Sequence, residues 1–403
     1  MKVLLTHVAL GRGGDAVQWM SLAEGFRRTG HQVFLAGASA IAPYSVEGAG
    51  ARARGLVRRL PWWIRDALEI GLGGLAIARA WGVARRQRVD LIVHRAATYD
   101  VVGAVLARLL GVPVIGYLDA HVPAERAYRS ESYWRWLHER SVRHLGRRAA
   151  LLVVPSQALR DYYHGIGIPL ANVLVRPNGV FQRHIRLGLE ALRSAPPMAR
   201  PSVCVVGFAG SLSDWHRVDL LLDALALLTR EEGPVAYRLI IIGAGREEAR
   251  LKAHATRLGV TPLVDWRGPL SHDRAVEAMR EFDVAVLPST LATGAPMKLF
   301  EYAAMGRPIV APALPNISAL FVPGVDAVLV EPGSPSALAA AVAGLAADPA
   351  RAQRIGRAGQ ARVLGFTWEE TAALLVQAAS ERAGSPARRP PRAVNGAHRA
   401  AGY

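Results

Sequence analysis

Short apolar runs alternate with helix-patterned stretches along nearly all of the 403-residue chain, and the alternation begins twice. In the first half, KVLLTHV, HQVFLAG, DLIVH, PVIGYL, ALLVVPS and NVLVRPN have the length and apolar content of buried strands. Between them AVQWMSLAEGFRRTG, DVVGAVLARLLG and SQALRDYYHGIG carry helical spacing and a glycine stop. After Asn178–Gly179 the pattern lapses through the proline-rich joint LRSAPPMARPS. It resumes with SVCVVGFAG, LLLDALALLTREEG, YRLIIIGAG, REEARLKAHATRLG, PLVDWRG, HDRAVEAMREF, DVAVLPS, LFEYAAMG and PIVAP. The expected fold is therefore α/β: two doubly wound domains facing a cleft, with ligands at the carboxyl ends of the strands. The expected boundaries are 1–185 and 201–366 for the domains and 186–200 for a linker. An amphipathic helix over 367–383 and a disordered basic tail over 384–403 complete the chain.

Composition narrows the partners. With 51% hydrophobic and 20% charged residues the chain is globular. Its net charge of +17 calls for an anionic partner: nucleic acid, anionic lipid or an anionic small molecule. No module interleaving aromatic and basic residues is visible, which argues against nucleic acid. The lone Cys204 sits in an apolar strand and builds neither a disulfide framework nor a thiolate metal site, so a reducing cytoplasm is the expected setting. The N-terminal MKVLLTHVALGRGG reads as a first strand rather than a signal peptide. The most apolar stretch, DALEIGLGGLAIARAWGVARR, contains Asp66, Glu69, Arg79 and four glycines and is not expected to span a membrane. The preceding RRLPWWIR fits two readings, an interfacial membrane segment or a helix packed on its own domain with a solvated basic face.

Four places could carry chemistry. Gly11, Gly13 and Gly14 lie between the first strand and the first helix, as in a loop that offers backbone N–H groups to a phosphate or sugar hydroxyl, or in a plain tight turn. In GFAGSLSDWHRVDLLLDAL a helix is expected from about Asp214–Trp215, with His216 and Arg217 in its first turn. Bases there oppose the helix dipole, which suggests a shared anion; the alternative is that Arg217 points to solvent. In GAPMKLFEYAAMGRP, Pro296 suits a helix start and Gly306 its stop, so Lys298 and Glu301 share a face at i, i+3 spacing. Either they form a surface ion pair, or they are ligand contacts at the carboxyl edge of a sheet. Lysine occurs only at positions 2, 252 and 298 in a chain with 49 basic residues, and a compact ammonium suits a diphosphate. Finally Asp119, His121, Glu125 and Arg126 follow a first-half strand, as ordinary loop residues or as acceptor contacts.

These blocks together resemble the retaining glycosyltransferases of family 4, which have the GT-B fold of two Rossmann-like domains. The resemblance covers about residues 1–380 and rests on GRGGDAVQWMSLAEGFRRTGHQVFLA, PSQALRDYYHGIG, VRPNGV, FAGSLSDWHRVDLLLDAL, LIIIGAG, DWRGPLSHDRAVEAMREFDVAVLPS and, most specifically, APMKLFEYAAMGRPIVAP. It implies transfer of a sugar from a UDP- or GDP-linked donor with retained anomeric configuration, needing no metal and no cofactor. It places the acceptor at the first domain and the nucleotide in the second, and a C-terminal helix that crosses back. Glu301 would bind the ribose, Lys298, His216 and Arg217 the diphosphate, and His121 the transferred sugar. Gly13, Gly14, Ser211, Thr293 and Gly294 would complete the donor site. The expected acceptor is a sugar or lipid-linked sugar of cell-envelope polysaccharide or glycolipid assembly, with peripheral contact to an anionic membrane, because basic clefts and interfacial tryptophans suit a lipid-linked acceptor; a soluble natural-product or small-sugar acceptor is the alternative. Two departures stand out: the family's first glutamate of a pair falls at Thr293, and its G-R-L…K-G pair is replaced by Ser211 and His216–Arg217. A nucleotide-sugar epimerase and a catalytically decayed scaffold are the competing readings.

Overall fold

The computed structural model describes residues 1–8, 14–37, 60–119, 122–123, 132–194, 202–230 and 233–383. Gly11, Gly13, His121, Glu125, Arg126 and the tail 384–403 lie outside the described residues.

The first half builds strands β1 (Lys2–His7), β2 (Gln32–Gly37), β3 (Leu91–Arg95), β4 (Val114–Tyr117), β5 (Leu151–Val154) and β6 (Val173–Val175). Its helices are α1 (Gly14–Arg28), α2 (Trp62–Gln87), α3 (Val102–Leu110), α4 (Arg135–Arg148), α5 (Gln157–Gly165) and α6 (Gln182–Ser194). All pairings are parallel, in the order β2-β1-β3-β4-β5-β6. Parallel strands need crossover helices and so bury both faces, which is why these runs are continuously apolar. Leu4 and Ile92 meet α2 and α3 on one face, while Val3, Leu5 and Val93 meet α1 on the other.

The second half repeats the plan with β7 (Val203–Ala209), β8 (Ala236–Ile242), β9 (Val264–Gly268), β10 (Val284–Val286), β11 (Ile309–Pro312) and β12 (Val328–Val330), ordered β12-β11-β10-β7-β8-β9. Around them lie α7 (Val218–Leu228), α8 (Glu248–Arg257), α9 (His272–Ala278), α10 (Met297–Ala304), α11 (Pro315–Ser318), α12 (Pro335–Ala347) and α13 (Pro349–Val363). The last helix, α14 (Trp368–Ala383), returns to the first sheet, where Trp368, Ala372, Leu375 and Ala379 join the core formed by β1, β3 and α1. Gly25 of α1 permits this contact, because a side chain there would collide with the backbone of Trp368.

The patternless joint is not irregular throughout. Helix α6 runs to Ser194 and reaches into the span expected as linker. Its buried stripe is His184, Ile185, Gly188 and Ala191, and a Cβ at Gly188 would strike the Ala304 carbonyl at the end of α10.

Candidate donor site at the switch point of the second sheet

Strand order reverses between β7 and β10, and at such a point the loops leaving the two strands part and leave a crevice. The β7 loop carries Gly210, Ser211 and His216; the β10 loop carries Thr293 and Gly294 and leads into α10 with Lys298 and Glu301. The sheet thus brings together two stretches that are some eighty residues apart in sequence.

His216 is buried, and its Nδ1 lies 2.7 Å from the Ser211 carbonyl. A carbonyl only accepts, so the ring proton is on Nδ1, and Nε2 is left to accept from the Lys298 ammonium at 2.7 Å. Burial, then the Lys298 charge, pushes the His216 pKa down to about 3, so the ring is a neutral acceptor at ordinary pH. Burial also pulls Lys298 down to about 8, against the opposing pull of Glu301. The ammonium lies 5.6 Å from the centre of the Phe208 ring. It is a partly buried cation whose hydrogen-bond partner, among the described residues, is one neutral nitrogen.

Lys298 and Glu301 share a helix face, but no ion pair joins them among the described residues. Glu301, buried on α10, instead accepts from Nε2 of His272 at 2.7 Å. Burial lifts the Glu301 pKa, but the charge and hydrogen bond of His272 outweigh it and hold the carboxyl below its ordinary range. For His272 burial pulls downward, and Glu301 more than reverses it. Behind this pair, His184 of α6 packs its ring 5.5 Å from that of His272 and contacts Asp273 at 2.9 Å. Nothing in the sequence sets His272 apart from an ordinary helix start, and its contact with a residue 29 positions on is visible only in space.

Arg217 lies outside this arrangement. The stretch expected to open a helix at Asp214–Trp215 is a short 3-10 turn over Asp214–His216, and α7 begins at Val218. Between them Arg217 adopts φ 46°, ψ 49°, a left-handed conformation that ends one element before the next starts. Its exposed guanidinium binds Asp219 at 2.9 Å. Ser211 is exposed beside His216, with its hydroxyl 3.4 Å from Nδ1 and 3.0 Å from that of Ser213. Gly14 begins α1. Asp119, two positions before His121 in the sequence, accepts from Arg95 at 2.9 Å.

Backbone contact fixes the β7 loop. Leu212 N–H donates to the Ala244 carbonyl and Gly210 N–H to that of Ile242. A Cβ on Gly243 or Gly245 would collide with Gly210 or Leu212, so only glycine admits this approach. A Cβ on Gly210 would come within 2.6 Å of Lys298 Cε.

Residues 12–181 match the family model described as Glycosyltransferase Family 4, and residues 203–348 match that described as Glycosyl transferases group 1. The D-inositol 3-phosphate glycosyltransferase 1 of Catenulispora acidiphila is 27% identical over 289 residues, 67% of this chain and 66% of that protein. The D-inositol 3-phosphate glycosyltransferase of Segniliparus rotundus is 32% identical over 55% of this chain and 50% of its own length. The chain thus spans between half and just under two thirds of these curated relatives. Among solved structures, Anabaena HepE in complex with UDP superposes with TM-score 0.70 at 22% identity, covering 94% of this chain and all of that one. The sucrose-phosphate synthase of Thermosynechococcus elongatus gives TM-score 0.72 at 17% identity over 94% of this chain and 99% of its own. With its two facing parallel six-stranded sheets and its helix returning to the first, the chain belongs to the family 4 glycosyltransferases of the GT-B fold.

Proposed function

We propose that this chain transfers a sugar, with retention, from a UDP- or GDP-linked donor to a hydroxyl acceptor. The observation that carries the reading is the division of α10 into two polar ends, Lys298 with His216 and Glu301 with His272. The first suits a diphosphate; the second leaves one carboxylate oxygen for a ribose hydroxyl. The HepE structures with UDP and with UDP-glucose support a nucleotide-sugar ligand on this fold. The bond from the sugar to the β-phosphate oxygen breaks as the acceptor oxygen bonds to the same face, and the acceptor proton passes to the departing phosphate. Lys298, held by His216, meets the charge growing on that phosphate, which is electrostatic rather than general-base assistance.

The acceptor belongs, in this reading, to cell-envelope polysaccharide or glycolipid assembly on the cytoplasmic side of the membrane. Helices α2, α3 and α4 cover one face of the first sheet and leave Trp63, Leu72, Leu109 and Trp136 between 40% and 65% exposed. By length and composition alone α2 could cross a membrane, but Asp66, Ala76, Ala80 and Ala84 bury one edge of it in the domain. Its two carboxylates turn inward, Asp66 to the Tyr99 hydroxyl and Glu69 to the Thr98 N–H. Arg85 and Arg86 end α2, and Arg108, Arg140, Arg147 and Arg148 lie close enough together to add to burial in lowering the pKa of His144. An apolar outer face edged by arginine suits an anionic lipid surface.

A thermal-shift panel of UDP-, GDP- and ADP-sugars, followed by turnover with the best binder, tests the reading. D-inositol 3-phosphate and lipid-linked sugars are the acceptors to offer, because the curated relatives are named for the first. Stabilisation by one donor and acceptor-dependent product are expected. Rearranged donor without acceptor would favour an epimerase, and no binding would favour a scaffold. Sedimentation with phosphatidylglycerol vesicles but not phosphatidylcholine vesicles is expected, and its absence would remove the membrane contact.

A further inference from the structure

The segment between β10 and α10 carries Thr293 and Gly294 and has no regular structure, and its shape is set by side chains outside it. Among the described residues no backbone N–H makes a well-aligned hydrogen bond to the carbonyls of Leu291, Thr293, Gly294 or Ala295. Three side chains take all four. Asn316, below in the second domain, donates to Leu291 at 3.1 Å and Gly294 at 2.6 Å. Ser156, in the first domain, donates its hydroxyl to the Thr293 carbonyl at 2.6 Å, and Asn178, just after β6, donates to the Ala295 carbonyl at 2.5 Å. Asn178 is itself held, since its side-chain oxygen accepts from Gln18 of α1 at 2.7 Å. Ser156, Asn178 and Gln18 are all buried.

The two sets of anchors differ in what a domain movement does to them. Separating the domains leaves the Asn316 bonds intact and strips the Ser156 bond from Thr293. We propose that Ser156 and Asn178 are positioning residues that hold the 291–295 segment in its donor-binding shape only when the two domains are closed on each other. Ala295 stands three residues before Lys298, so the grip bears on the part of the loop that leads to the diphosphate end of the site. By linkage, a donor that needs the gripped loop draws the domains together to the same extent. The inference rests on the reading of this site as a nucleotide-sugar site.

The test is calorimetric affinity for UDP and for uridine, with GDP and guanosine run alongside, on the full chain and on Ser156→Ala, Ser156→Thr and Asn178→Ala. Ser156 also caps α5 through Leu159 N–H, so Ser156→Ala loses two roles, while Ser156→Thr retains a hydroxyl for both. A melting curve for each variant separates lost fold from lost grip. Expected are roughly tenfold weaker UDP binding in Ser156→Ala and Asn178→Ala, unchanged uridine binding, and near-parent behaviour in Ser156→Thr. UDP should also reduce the radius of gyration of the parent more than that of either alanine variant. Parent-like UDP affinity in both alanine variants, or an equal loss for UDP and uridine, would overturn the grip. Failure of the parent to bind UDP or GDP would instead overturn the donor reading, and this inference with it.

Discussion

The ammonium of Lys298 donates to Nε2 of His216 across 2.7 Å, joining the loops that leave neighbouring strands β7 and β10. A neutral imidazole stabilises the cation without neutralising it, so the positive charge stays available to a ligand. The arrangement also costs the fold stability, because the cation has lost much of its water and, among the described residues, forms no ion pair, feeling Glu301 only at longer range.

That cost has a sign that can be checked. Lys298 falls from an ordinary 10.5 to about 8 in the fold, so between those values the unfolded chain binds the extra proton and stability rises with pH. Lys298→Met should abolish this rise and, with no nucleotide added, stabilise the protein at pH 7 by up to about 3 kcal/mol. The same variant should lose about 2.7–4 kcal/mol of barrier lowering, roughly a hundredfold to a thousandfold in turnover. In the parent, kcat/KM for the donor should fall above about pH 8 as the ammonium is lost. Urea titrations and initial rates across pH test both halves.

His272 and Glu301 give a second window. The histidine pKa is raised above 6.5, so its contribution to stability is complete below that value and is lost as pH climbs through the folded pKa. The glutamate pKa is lowered below 4.5, so its contribution is complete above that value and is lost as pH falls. Stability should therefore crest between these limits, and His272→Gln should flatten the crest. Loss of the pair should cost about 3 kcal/mol, the low end for breaking a buried ion pair. Donor KM should rise more than kcat falls, since the carboxylate is proposed as a binding contact.

Arg217→Gly should raise stability. The left-handed backbone costs a residue with a Cβ roughly 1–2 kcal/mol, while the exposed pair with Asp219 contributes at most about 1 kcal/mol. Arg217→Val, β-branched and unable to pair, should be the least stable of the three. Denaturant midpoints decide the order.

Gly243→Ala should disturb the site from the far side of the β7 loop. Its added methyl meets the Gly210 carbonyl, and Gly210 lies against the Lys298 side chain. A large loss of stability is expected, together with weaker diphosphate binding by any folded fraction. Gly259→Ala, at a helix end with φ 74° and open space around it, is the control for backbone strain alone.

The two sheets are legible in the sequence because parallel strands are apolar on both faces, as in VCVVGFA. Strand β12 is not, since its three residues lie at the sheet edge and are only partly buried. Helix α6 hides for a different reason: its buried stripe uses histidine, glycine and alanine beside one isoleucine, and at Gly188 the Ala304 backbone leaves no room for a side chain. Lys298 and Glu301 stand out through their place after a strand and the motif around them. Their partners do not: His216 looks like a helix-start base and is an inward acceptor, and His272 looks like a surface residue. Ser156 and Asn178 reach the 291–295 loop across 137 and 117 positions, a spacing that no local pattern encodes.

The most direct measurement is calorimetric titration of UDP into the parent chain and into Lys298→Ala and Glu301→Ala, with uridine as the ligand lacking the diphosphate and GDP and guanosine in parallel. Division of α10 into a diphosphate end and a ribose end requires Lys298→Ala to weaken the diphosphate while leaving the nucleoside unchanged, and Glu301→Ala to weaken both. Equal losses from both variants for both ligands, or binding by the parent that neither variant alters, would contradict it.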